Sequence, residues 1–101
     1  MQQSKVDFVA LNQWAVKALP AILNRFLPGG VMRGQEYIAR NLTRADRHLG
    51  SFKINMHTGC WADFATGDAG GDIISLIAYV QRIGQADAAR LVQEMVGGGH
   101  V

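Results

Sequence analysis

A chain of 101 residues with 49% hydrophobic and 18% charged content is the size of one domain and rich enough in apolar residues to build a core, which excludes a disordered polyelectrolyte. The net charge of +2 excludes neither acidic nor basic partners, and the single cysteine, Cys60, excludes an internal disulfide and fits a reducing compartment. The opening residues show no signal-peptide pattern, and the apolar run Ile73 to Val80 is too short to span a bilayer, so the expectation is a cytoplasmic protein with no membrane partner.

In chain order, Phe8, Leu11, Ala15, Leu19, Ile22, Leu23 and Phe26 recur at helical spacing, which predicts a helical region over 7–27 with an apolar core face. Pro20 predicts a kink, or a second helix starting near Leu19, and Pro28-Gly29-Gly30 ends the region. The middle, 36–64, reads as strands. Glu36 to Asn41 is the first. Ser51 to Asn55 alternates polar and apolar residues and forms a hairpin with Cys60 to Phe64, placing Phe52 and Ile54 on one face and Lys53 on the other. After a loop from Ala65 to Gly71, Asp72 is placed to cap a helix from Ile73 to about Arg82, apolar nearly all round and therefore buried, with Gly84 as its stop. Ala86 to Met95 is a second, amphipathic helix, so helices fill 72–95. Residues 97–101 read as a flexible tail. The whole of 1–96 reads as one domain.

Charge is unevenly distributed. From Arg25 to His57 there are six basic residues, Arg25, Arg33, Arg40, Arg44, Arg47 and Lys53, against two acids, Glu36 and Asp46, whereas the rest of the chain is net acidic. Such an arrangement orients a polyanion, although an ordinary solvated face produces the same pattern. Tyr37, Phe52 and Trp61 fall on the expected strands among these cations, a composition suited to stacking single-stranded bases while contacting phosphates. Phe52, alternating with Ile54, is expected in the core; Trp61 and Tyr37 are the stacking candidates.

Other chemistries find less support. The glycine-rich stretch from Trp61 to Asp72 could offer backbone amides to a phosphate, but no lysine follows and Asp68 and Asp72 would repel an anion; a tight turn and helix cap is the favoured reading. His57-x-x-Cys60-x-x-Asp63 has the spacing of metal ligands, yet alternation sends Cys60 and Asp63 to opposite faces, and one cysteine with three histidines is a thin supply for a structural zinc site. Cys60 is instead expected as a small buried hydrophobe. No nucleophile elbow surrounds Ser51 or Ser75, and the Asp63, Asp68, Asp72 cluster lies partly in a glycine loop, so no catalytic role and no cofactor are expected.

The combined pattern Ser51-Phe52-x-Ile54-Asn55, Gly59-x-Trp61-x-Asp63-Phe64 and Gly67-x-x-Gly70-Gly71-Asp72-Ile73-Ile74 resembles the N-terminal zinc-binding domain of bacterial DnaG-type primases, over about Leu19 to Met95. The resemblance implies an α+β fold: a small antiparallel three-stranded, zinc-ribbon-like sheet flanked by N-terminal and C-terminal helices, engaging template DNA. It also implies that the family's four zinc ligands would fall near Leu42, Ala45, Asp63 and Thr66, none of them Cys or His. This chain is thus similar to a zinc-free variant found ahead of TOPRIM primase and primase-helicase regions in phages, plasmids and integrative elements. Side chains must then replace the metal in joining the two loops, with Arg44, Asp46, Asp63 and Thr66 as the expected replacements. Gly70, Gly71 and Asp72 are expected to shape the loop and cap. The charge pattern and the interleaved aromatics give the expected nucleic-acid contacts: Arg40, Arg44, Arg47 and Lys53 for phosphate and Trp61, with Tyr37, for bases. The TOPRIM region itself does not appear in the chain, which fits either an excised domain or a protein acting in trans on a primase, helicase or host-defence complex. The alternative function is a protein-interaction module or inhibitor docking through the acidic helical half.

Overall fold

The computed structural model describes residues 7–43 and 49–96. It is α+β, with four helices and one antiparallel sheet of five strands in chain order, two more than the three-stranded sheet expected.

The helical N-terminal region divides where Pro20 predicts. Helix α1 spans Phe8–Lys17, capped by the Asp7 carboxylate, and α2 spans Leu19–Phe26, with proline in its first turn, where no intrahelical donor is needed. Leu11, Ala15, Leu19, Ile22, Leu23 and Phe26 are buried; Phe8, expected with them, is 39% exposed at the helix start.

Strands β1 (Val31–Arg33) and β2 (Glu36–Ala39) form a tight hairpin through Gly34 and Gln35, with Gly34 at positive φ as a two-residue primed turn requires. The first expected strand therefore ends at Ala39, short of Asn41. Strands β3 (Phe52–Asn55) and β4 (Trp61–Asp63) form the expected hairpin, with Ile54 opposite Trp61 and Phe52 opposite Asp63. The stretch expected as loop contains β5 (Asp68–Gly70), paired with β4.

Helix α3 spans Ile73–Gln81, and the Asp72 cap is present: its Oδ1 accepts from the Ser75 amide at 2.7 Å. The helix stops at Arg82, in the left-handed conformation, rather than at Gly84. Helix α4 spans Gln85–Val96, burying Ala88, Ala89 and Val92. The helices pack on one another and on one face of the sheet, where Ala39, Phe52, Ile54 and Trp61 join their core. The expected tail, 97–101, lies outside the described residues.

Candidate functional site

The sheet's pairing register sorts its residues into two faces, because directly opposed residues point the same way. Tyr37, Ala39, Phe52, Ile54, Trp61 and Asp63 face the helices. Val31, Arg33, Glu36, Ile38, Lys53, Asn55 and Ala62 face outward.

On the inner face Trp61 is 6% exposed. It meets Phe52 edge-on with ring centroids 6.0 Å apart, lies 4.7 Å from Tyr79, and donates its indole N–H to Ser75 Oγ at 3.0 Å. The expectation that Trp61 stacks on a base is corrected on this ground: its ring is enclosed by protein, and its polar handle is satisfied within the fold. Tyr37 is half-buried. Its hydroxyl donates to the Leu27 carbonyl (2.6 Å) and accepts from the Gly30 amide (3.0 Å), tying the turn after α2 to the sheet. A Cβ at Gly30 would fall 2.5 Å from the Tyr37 ring, so this close approach requires glycine. Gly70 is similarly constrained, since a Cβ there would sit 2.5 Å from both Trp61 Nε1 and Ser75 Oγ, whereas nothing lies within 4 Å of one at Gly71.

The two loops that the resemblance says a metal would join are joined by hydrogen bonds. Asn41 and Asp63 are both fully buried. The Asn41 amide nitrogen donates to Asp63 Oδ2 (2.7 Å) and to the Tyr79 hydroxyl (2.8 Å). Its oxygen accepts from the amide and the hydroxyl of Thr43. Every hydrogen-bonding position of the carboxamide is thereby used, which fixes its orientation. Asp63 Oδ1 accepts from the Ala65 amide, and Tyr79 donates onward to Asp68 Oδ2 at 2.7 Å. A guanidinium nitrogen of Arg82 donates to the Thr43 carbonyl. Of the expected replacements, Asp63 sits at the centre of this network. Thr66 serves its own turn, accepting from the Asp68 amide at 3.1 Å. Arg44 and Asp46 lie outside the described residues, as do Ala45 and Arg47. The sequence reading missed Asn41 and Tyr79. Among the described residues no group of three or more His, Cys, Asp or Glu side chains is gathered as metal ligands would be. Cys60 is exposed rather than buried.

The outer face carries the remaining candidates. Lys53 is half-buried at its centre, with Nζ 5.6 Å from the centroid of the Phe64 ring. Phe64 follows β4, held in the ladder by its amide bond to the Ser51 carbonyl at 2.9 Å, and its side chain is 72% exposed. The cross-strand partner of Lys53 is Ala62, and Lys53, Ala62 and Phe64 line one shallow depression that Glu36 also borders. Arg33 and Arg40 are exposed, Arg33 on this face and Arg40 one residue past β2. Ile38 is buried here, 4% exposed, with Leu49 and Gly50 beside it. Glu36 is the acid on the same face.

Asp72 caps α3 and Asp68, on β5, accepts from Tyr79, whereas Asp87 forms an exposed pair with Arg90 and Glu94 is exposed on α4. No described helix is long and apolar enough to cross a membrane. Compared with known proteins, the chain matches no family model, no curated protein and no solved structure.

Proposed function

We propose that this protein is a non-catalytic DNA-binding module that engages single-stranded template DNA on the outer face of its sheet, working with a mobile-element primase system. The observation that carries the reading is Phe64: a phenyl ring 72% exposed at the end of a strand, beside the Lys53 ammonium. An exposed ring next to a cation matches a nucleotide, with the base stacking on the ring and the phosphate meeting the ammonium. Arg33 and Arg40 extend the cationic surface, and arginine suits phosphate because its planar fork can donate two parallel hydrogen bonds. The link to a primase system rests on the sequence resemblance. Docking on a protein partner through the acidic helical half has less to build on, because Asp68 and Asp72 already serve the fold and the exposed Asp87 is paired with Arg90.

The test is fluorescence anisotropy with labelled single- and double-stranded oligonucleotides at two salt concentrations. Single strands should bind more tightly, and affinity should fall as salt rises. Phe64→Ala should weaken single-strand binding roughly five- to 150-fold, the equivalent of about 1–3 kcal/mol per stacked base, with the melting temperature unchanged. A folded Phe64→Ala variant that binds like the parent would remove Phe64 from the site, and a wild-type protein with no affinity for single strands would reject the function.

A further inference from the structure

A second cluster of aromatic and cationic side chains lies away from Phe64, between α1 and the turn joining β3 to β4. Trp14 is 57% exposed on α1. Lys17, three residues on, shares its side of the helix. Across from them the turn presents His57 and Thr58, and the cleft between the two walls has a volume of about 460 Å³. That is within the range of small-molecule clefts, roughly 300–1,000 Å³.

Both walls are fixed. The Asn12 side chain, on α1, donates to the Thr58 carbonyl (3.2 Å) and accepts from the Ile73 amide (2.7 Å), fastening the turn and the start of α3 to the helix. Asn55 Oδ1 accepts from the amides of His57 (2.8 Å) and Thr58 (3.0 Å), setting the shape of the turn. The cleft therefore needs little ordering on binding, which lowers the cost of occupancy.

Its chemistry is one-sided. The lining offers an indole face, an ammonium and an imidazole, with no carboxylate among the described residues. Only Val16 is aliphatic there, so the surface is a poor match for an apolar helix and a good one for a planar, anionic ligand. The hairpin that displays Lys53 and Asn55 on the outer sheet face runs directly into the turn bearing His57.

We propose that this cleft is a second contact for single-stranded DNA, with a base stacked on Trp14 and phosphate held by Lys17 and His57, so that one strand follows the β3–β4 hairpin from Phe64 to α1. The proposal rests on the single-strand reading of the sheet and extends it to a site of more than one nucleotide.

The test uses the full chain, intrinsic tryptophan emission and anisotropy with oligothymidylates of about 4 and about 12 nucleotides, lengths that bracket typical single-strand sites. The 12-mer should quench the emission of the wild type, and Trp14→Phe should abolish the change, because the remaining indole, Trp61, is enclosed. Trp14→Ala should weaken 12-mer binding roughly five- to 150-fold and 4-mer binding less. Lys17→Gln should flatten the log–log salt slope for the 12-mer by about 0.7. Trp14→Ala binding the 12-mer like the wild type, while Phe64→Ala loses affinity, overturns the cleft and leaves the sheet reading intact. The reverse pattern keeps the cleft and overturns the sheet. Loss of neither, or no binding by the wild type, overturns both. A concentration-dependent shift of Trp14 emission without DNA means that a second copy covers the cleft, and it also overturns the proposal.

Discussion

The two faces of the sheet are built from the same strands and meet opposite surroundings. Along β3, Phe52 and Ile54 point inward and are fully buried, while Lys53 and Asn55 point outward and stay half-covered. The inner aromatic of the next strand, Trp61, is enclosed by Phe52, Tyr79 and Ser75; the outer one, Phe64, stands in solvent beside Lys53. Residue type therefore does not identify a stacking platform. Parity decides only which aromatic is exposed: Trp61 and Phe64 are three residues apart, and an odd offset along an extended chain reverses the face. If the division of labour is real, changes on the inner face should cost stability, and changes on the outer face should cost affinity.

The largest expected effect is Phe52→Ala. Removing a fully buried phenyl ring from the meeting point of sheet and helices should cost about 3–5 kcal/mol, a large share of what a domain of this size possesses. Urea melts should register it, with any loss of DNA affinity tracking unfolding. A mild cost, under about 1 kcal/mol, would mean that the inner face is not the core it is described as.

Next is Asp63→Ala, expected to cost about 2–3 kcal/mol. The substitution deprives the fully buried Asn41 side-chain amide and the part-buried Ala65 amide of their carboxylate partner. Because this network is expected to stand where a metal would, a chelator should leave the melting temperature of the wild type unchanged. Stoichiometric zinc in the purified protein, lost together with the fold on chelation, would contradict that expectation.

These elements differ in how legible they were. The helices were readable because apolar residues repeat at 3.6, and Pro20 marked their division. The β3–β4 hairpin was readable from the alternation at Ser51 to Asn55. Strand β1 was not, because Val31, Met32 and Arg33 are all exposed and show no alternation, and β5 was not, because Asp68-Ala69-Gly70 has no strand preference. Both are held by their neighbours rather than by their own composition. Asn41 and Tyr79 were missed for a different reason. They are 38 residues apart, and only the packing of α3 against the sheet brings their polar atoms together. The exposure of Phe64 could have been inferred, since pairing β4 against β3 with Phe52 inward sends Phe64 out. Trp14 carried no such signal, because helical periodicity says which residues cluster and not which side of the cluster lacks a neighbour.

Asp72→Ala tests the boundary between the faces. The carboxylate caps α3, and its loss should cost about 0.5–2 kcal/mol without a selective loss of DNA binding. Lost binding at unchanged stability would instead make the β5–α3 junction part of the binding surface.

The smallest effect, and the sharpest on the outer face, is electrostatic. Lys53 is half-buried and Arg33 exposed, and neither belongs to the core, so their joint replacement by Ala should change stability by no more than about 0.5 kcal/mol each. If both contact phosphates, each releases about 0.7 of a counterion from a single strand, and the double variant should flatten the log–log salt slope by about 1.4 while weakening all sequences alike. Stability and slope must be measured on the same preparation, because a slope that changes only where the protein begins to unfold would return these residues to a structural role. A folded double variant with an unchanged slope would remove phosphate contact from this face of the sheet. Any surviving affinity would then have to come from Phe64, from the cleft beside Trp14, or from the arginines between Thr43 and Leu49.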